Sequence, residues 1–162
     1  MAINHAKAGV NSVPAYQMSG IPFVTSSATT EVPRADNADP VPIRIDFPFV
    51  TKNIKVRNIG ENDLRVGFSQ LGVKTPGQGV KGANLTRNYF IIPSSGSVNL
   101  AGTAGVQQTT QTFDVRCKSI FFTAENGTTG FSLFAGLTTI DRNEFPTLTG
   151  SLNGTTGFEG VG

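Results

Sequence analysis

Nucleophilic catalysis needs a nucleophile, a base within hydrogen-bonding reach and a group that orients the base. The chain offers few residues for these roles: one histidine, His5, and one cysteine, Cys117. His5 lies in a proline-punctuated N-terminal segment that nothing holds against a fixed Ser, so it reads as a solvated arm residue. Cys117 takes an inward place in the alternating run Phe113-Asp114-Val115-Arg116-Cys117-Lys118. A reactive thiolate wants an exposed, electropositive setting, whereas a free Cys on an apolar face packs as a small hydrophobe. One His and one Cys cannot build a His/Cys zinc site, and a lone thiol cannot form an internal disulfide.

The carboxylates are scattered. Asp36 and Asp39 fall in the N-terminal segment, Asp46 and Asp114 on outward strand positions, and Glu61 and Asp63 together in Gly60-Glu61-Asn62-Asp63. A glycosidase sets two carboxyls across a sugar cleft. Only Glu61 and Asp63 are neighbours, and Gly60 and Asn62 explain them as turn residues. Calcium would need about 6–8 oxygens, more than this loop supplies. The glycine-rich Gly77-Gln78-Gly79-Val80-Lys81-Gly82 lacks the spacing and the following helix of a phosphate-binding loop. The sequence therefore predicts no catalytic, cofactor-binding or metal-binding residue, and no enzymatic activity.

Nucleic-acid binding asks for aromatics interleaved with cations. Residues 50–90 hold seven basic side chains (Lys52, Lys55, Arg57, Arg65, Lys74, Lys81, Arg87) against Glu61 and Asp63, while the rest of the chain is net acidic. Lys55 and Arg57 alternate with Ile54 and Val56 rather than with aromatics, and Phe121, Phe122, Phe131 and Phe134 read as core. The basic face is expected to be a solvated strand face, with no specific nucleic-acid partner. Residues 1–16 lack an apolar signal core, and no stretch approaches about 18 uninterrupted apolar residues. No secretory signal and no membrane span are expected, so Asn84-Leu85-Thr86, Asn126-Gly127-Thr128 and Asn153-Gly154-Thr155 are not expected to be glycosylated.

The elements that must position these residues are strands. Of 162 residues, 15% are charged and 19 are Gly, against usual values of roughly 25% charged and roughly 7% Gly. Nineteen Thr favour strands and turns. Pro14, Pro22, Pro33 and Pro40 punctuate residues 1–40, predicting an extended arm with one short strand near 21–25. Ile43-Arg44-Ile45-Asp46-Phe47, Asn53-Ile54-Lys55-Val56-Arg57-Asn58 and Leu64-Arg65-Val66-Gly67-Phe68 alternate as half-buried strands. The last two are expected to pair as a hairpin across the loop at 60–63. Asn88-Tyr89-Phe90-Ile91-Ile92 and Ser97-Val98-Asn99-Leu100 predict a second hairpin. Asn126-Gly127, a strong turn signal, predicts a third, joining a strand over 113–122 to Phe131-Ser132-Leu133-Phe134-Ala135-Gly136-Leu137. The hexapeptide from Asn126 to Phe131 recurs from Asn153 to Phe158 as a reused turn, since two copies do not make a solenoid.

Seven or eight short strands without helical periods predict an all-β antiparallel sandwich, jelly-roll-like, with extended N- and C-terminal arms. The expected division is 1–40 arm, 41–140 β-sandwich core and 141–162 Gly-rich arm. Arms of this kind gain order by lying across neighbours, which favours a subunit of a large assembly.

Phe47-Pro48-Phe49-Val50-Thr51 leading into Ile54-Lys55-Val56-Arg57-Asn58, the Leu64–Phe68 strand and the closing Phe131–Leu137 strand give the chain a style that resembles small β-sandwich virion proteins. These decorate or cement the capsids of tailed bacteriophages and other double-stranded DNA viruses. The resemblance implies a jelly roll or related sandwich, often a homotrimer, seated on a separate major capsid protein and strengthening the shell. It implies a virion location after assembly in the host cytoplasm. The length and sparse helical signal favour an accessory over a shell-building role. The other function class weighed is a carbohydrate- or receptor-binding sandwich, for which the absence of Trp and the presence of only Tyr16 and Tyr89 make a thin platform.

Overall fold

A computed structural model describes residues 9–11, 13–28, 31–35, 41–70, 72–74, 88–94 and 109–145, and the backbone alone at 151–152 and 155–156. A single helical turn, α1 (Val13–Gln17), precedes eight strands: β1 (Ile21–Ser26), β2 (Ile43–Asp46), β3 (Phe49–Asn58), β4 (Leu64–Gly67), β5 (Phe90–Ile92), β6 (Thr110–Phe113), β7 (Ser119–Ala124) and β8 (Phe131–Asp141). A 3₁₀ turn (Arg142–Glu144) follows, and then a two-residue ribbon of β9 (Ser151–Leu152) and β10 (Thr155–Thr156).

The ladders are nested. β1 pairs with β8, β2 with β7, β3 with β6 and β4 with β5, all antiparallel. This is the pairing of one long hairpin. Two further ladders, β3·β8 and β4·β7, roll it up. The result is two four-stranded sheets of order β1-β8-β3-β6 (sheet 1) and β2-β7-β4-β5 (sheet 2). Eight strands wound in this way form a jelly roll, so the expected all-β sandwich is what the chain folds into.

Period-two burial explains the layers. Ile54 and Val56 of β3 point inward and are fully buried, while Lys55 and Arg57 between them are exposed. Phe131, Leu133 and Ala135 of β8 meet Ile120 and Phe122 of β7 and Leu64 and Val66 of β4. Phe122 stacks on Phe131 with ring centroids 4.2 Å apart, joining the sheets at the centre. Edge-to-face pairs close the two sides: Phe23 on Phe47 at 5.3 Å beside β1, and Phe113 against Phe90 and Phe68 at 5.6 and 6.3 Å beside β6. Each such pair adds about 0.5–1.5 kcal/mol beyond its area burial.

Three expectations are corrected. The β3–β4 and β7–β8 segments do not pair as hairpins, because each crosses from one sheet to the other. The turn chemistry is present, with Gly127 at φ +75°. Its loop, however, bonds to the β3–β4 loop: Asn62 Nδ2 donates to Thr128 O at 2.7 Å, Thr129 Oγ1 to Asn58 Oδ1 at 2.9 Å, and Glu125 N to Asp63 O at 2.9 Å. The expected single strand over 113–122 is two, β6 and β7, because residues 114–118 carry the chain between sheets. Within 1–40, the short strand expected near 21–25 does form, as β1, an edge of sheet 1 along six register pairs; what differs is the stretch after it. Val32 and Ala35 are fully buried, with Val32 bridging Thr129, so residues 31–35 are built into the sandwich rather than lying as an arm. Of the expected strand Asn88–Ile92, Phe90–Ile92 forms one, paired to β4; its expected partner at 97–100 lies outside the described residues, as does most of the second hexapeptide.

Candidate interaction surface

The residues considered for chemistry are dispersed. Cys117 is buried beneath β3, where its backbone N–H donates to Thr51 Oγ1 at 2.9 Å and that hydroxyl donates to Val115 O at 2.8 Å. Burial pushes the thiol up from 9.0 to about 11, only partly opposed by hydrogen bonds from Thr51 and the Ser119 backbone. Such a thiol is a packed hydrophobe rather than a nucleophile. Asp46 accepts from Arg44 at 2.8 Å and from Arg142 at 3.1 Å on the surface. Asp63 Oδ1 accepts the Ser94 N–H at 2.9 Å, tying the β3–β4 loop to the end of β5. Glu61 and Asp114 are exposed. Among the described residues no three of His, Cys, Asp and Glu come together as metal ligands, and no helix is long and apolar enough to cross a membrane. His5, Asp36, Asp39 and the glycine-rich 77–82 loop lie outside the described residues.

Sequence reasoning missed one polar assembly. Arg65, outward by alternation on β4, is only 5% exposed. It pairs through Nε with the Glu125 carboxylate, reaches Val73 O through Nη1 at 3.4 Å, and lies 4.5 Å from the centre of the Tyr89 ring. Thr123 Oγ1 donates to the same carbonyl at 2.7 Å. The 72–74 segment is thereby pinned across the outer face of sheet 2, and β4 and β7 are buried on both faces. No signal short of that long-range contact marks Arg65 as buried.

Sheet 1 is different. In register across it stand Val24, Phe134, Lys55 and Thr112, all exposed. Val24 is 69% and Phe134 45% exposed. Flanking outward positions carry Pro22, Ser26, Ser132, Asn53 and Arg57. Phe134 was expected in the core, yet the period from Phe131 already puts positions 132 and 134 outward. Among the described residues this face thus exposes an apolar pair beside two cations, Lys55 and Arg57, on otherwise small residues.

A second feature is a cleft of about 460 Å³ lined by Val10, Asn11, Val115, Arg116 and Phe145. Its one cation is occupied: Arg116 Nη1 donates to Val10 O at 3.2 Å, and the guanidinium lies 5.1 Å from the Tyr16 ring centre. These contacts clip α1 to the base of the sandwich.

Compared with known proteins, the chain is matched by no family model, no curated protein and no solved structure.

Proposed function

We propose that the chain is a non-enzymatic virion structural protein, a capsid decoration, cement or minor capsid protein. It binds a shell made by a separate major capsid protein and touches further copies of itself, reaching the particle after assembly in the host cytoplasm. The observation that carries this reading is the asymmetry of the jelly roll. The central strands of sheet 2, β4 and β7, are buried on both faces, whereas sheet 1 offers an exposed Val24–Phe134 strip beside an uncharged edge strand. Exposed apolar strips and unprotected edges mark surfaces meant to be covered. The sealed Cys117 and the tied carboxylates Asp46, Asp63 and Glu125 support a role without bond-making chemistry. The jelly-roll architecture occurs in viral capsids and also in lectins, so the functional weight rests on the surface, not the fold.

The test is particle fractionation. Density-gradient capsids from cells producing the chain should contain it in fixed proportion to the shell protein; a chain confined to the soluble fractions refutes the reading. The exposed rings of Phe134 and Phe90 favour one second reading, a glycan- or receptor-binding module. Saturable binding on a glycan array, abolished by Phe134→Ala, would establish it instead.

A further inference from the structure

We propose that the outer edge of β1 is a two-fold pairing site for a second copy of the chain, making one continuous eight-stranded sheet from two copies of sheet 1. This deepens the assembly reading above by naming a partner and a register.

In an antiparallel ladder, successive residues direct their main-chain groups alternately toward and away from the neighbouring strand. On β1 the odd residues face β8: Ile21, Phe23 and Thr25 stand opposite Leu137, Ala135 and Leu133, and Ser27, next in that series, donates its N–H to Phe131 O at 2.9 Å. Pro22, which has no N–H, falls in the other series, where no ladder bond is lost. Val24 and Ser26 therefore present their N–H groups, and Pro22, Val24 and Ser26 their carbonyls, to the open side. Among the described residues no strand pairs with that side.

The other three edges are less suited. β2 carries the charged Arg44 and Asp46, β5 has three residues and β6 four. β1 has six residues and no charge. Charges and brevity are the usual protection of an edge, and β1 has only Pro22.

The open side of β1 is complementary to itself. A two-fold axis at Val24 sets Val24 opposite Val24 of the second copy, and Ser26 opposite Pro22. Two bonds form at the Val24 pair and one from each Ser26 N–H to the opposite Pro22 carbonyl, roughly four in all. The outer face then runs Phe134, Val24, Val24, Phe134 across the junction, joining two apolar strips into one. Electrostatics do not oppose it. Lys55 lies two strands in, so the two Lys55 side chains are separated by about five strand spacings, about 24 Å, well beyond the screening length of about 8–10 Å at ordinary salt. Pairing about a two-fold produces dimers, not the trimers the resemblance implies.

The experiment uses the full chain. Sedimentation equilibrium at 100 µM should give about 34 kDa, twice the 17.1 kDa of one chain. Val24→Lys should give a monomer that melts cooperatively at the temperature of the wild type diluted to where it too is monomeric. A monomeric or trimeric wild type, or a Val24→Lys variant that stays dimeric, overturns the proposal. Register is tested separately by oxidation with diamide. At a hydrogen-bonded pair the Cα atoms are about 5.5 Å apart, within disulfide range, so Val24→Cys should cross-link as a dimer on a non-reducing gel. Ser26→Cys, which faces Pro22, should not, and equal cross-linking of both variants overturns the register. A monomer leaves shell association standing, and absence from particles leaves the dimer standing, so the two failures are distinguishable.

Discussion

Replacing Arg65 by Met should be among the most damaging single changes outside the apolar core, although alternation alone marks the position as a surface one. The side chain is 6% exposed and its partner Glu125 23%. Removing the guanidinium leaves a largely covered carboxylate without its cation and Val73 O with the Thr123 hydroxyl alone, and it ends the contact with the Tyr89 ring. Breaking a fully buried pair from one side costs about 3–5 kcal/mol. Glu125 keeps some solvent, which lowers this, while the lost cation–π contact adds about 0.5–1 kcal/mol. The expected loss is about 2–4 kcal/mol, a fall in melting temperature of roughly 5–15 °C for a domain of this size. Glu125→Gln should cost less, about 1–3 kcal/mol, because Arg65 retains Val73 O and the Tyr89 ring. The double variant should fall short of the sum by about 1–3 kcal/mol, since the second change removes a partner already lost. Thermal melts of all four proteins, followed by circular dichroism at 0.1 and 1 M NaCl, provide the cycle. A covered pair is little screened, so the coupling should survive high salt. Additivity within about 0.5 kcal/mol, or a neutral Arg65→Met, would refute the reasoning.

Other substitutions probe other parts of the fold. Gly136→Ala should cost about 1–3 kcal/mol in a urea titration: the new Cβ would stand 2.6 Å from Asn53 Oδ1, which accepts the Gly136 N–H at 3.1 Å. The Tyr89 hydroxyl is buried without a partner among the described residues, so Tyr89→Phe should leave the melting temperature unchanged or raise it. The native state holds the Cys117 thiol protonated. Its contribution is full below pH 9 and is lost as pH rises toward about 11, a loss of about 2–3 kcal/mol. Cys117→Ala should flatten this alkaline decline in a stability-versus-pH series, and in the native wild type the thiol should resist alkylation at pH 8. Deleting residues 1–40 should abolish the cooperative thermal melt by removing β1, Val32 and Ala35.

What was legible in the sequence was local. Ile43, Ile45 and Phe47, and again Ile54 and Val56, face inward as period two requires, because each strand has one wet and one dry side. Partner choice was not legible. Gly127 at φ +75° reverses the chain as Asn-Gly turns do, but a reversal does not say which strand the next one joins. That is decided by the two cross-sheet loops bonding to each other through Asn62, Thr129 and Asn58, contacts more than sixty positions apart. Arg65 was misread for the same reason: what dries it is Val73 and Tyr89, which no periodicity on β4 encodes. Phe134 was a different failure. Its alternation with Phe131 and Leu133 points outward while its aromatic side chain points to the core, and in the structure the alternation wins.

Pro22 links the sequence reading to the surface. Proline density made residues 1–40 look like an arm, on the principle that proline is excluded from central strands. The principle holds, and its consequence here is an edge: Pro22 occupies a position whose N–H would point away from β8, so β1 keeps its ladder. The same residue limits what can join the open side. In the two-fold register each Pro22 withholds one donor, removing roughly two of six bonds. Shifting the register by two residues one way sets Pro22 opposite Val24 and forfeits further bonds, whereas shifting it the other way sets Val24 opposite Ser26 and keeps roughly four. A proline near one end of a short, uncharged edge therefore opposes sliding in one direction only, and what favours the centred pairing over the other register is the Val24–Val24 side-chain contact it alone makes. A closed two-fold contact then uses up the edge that would otherwise template open-ended sheet growth.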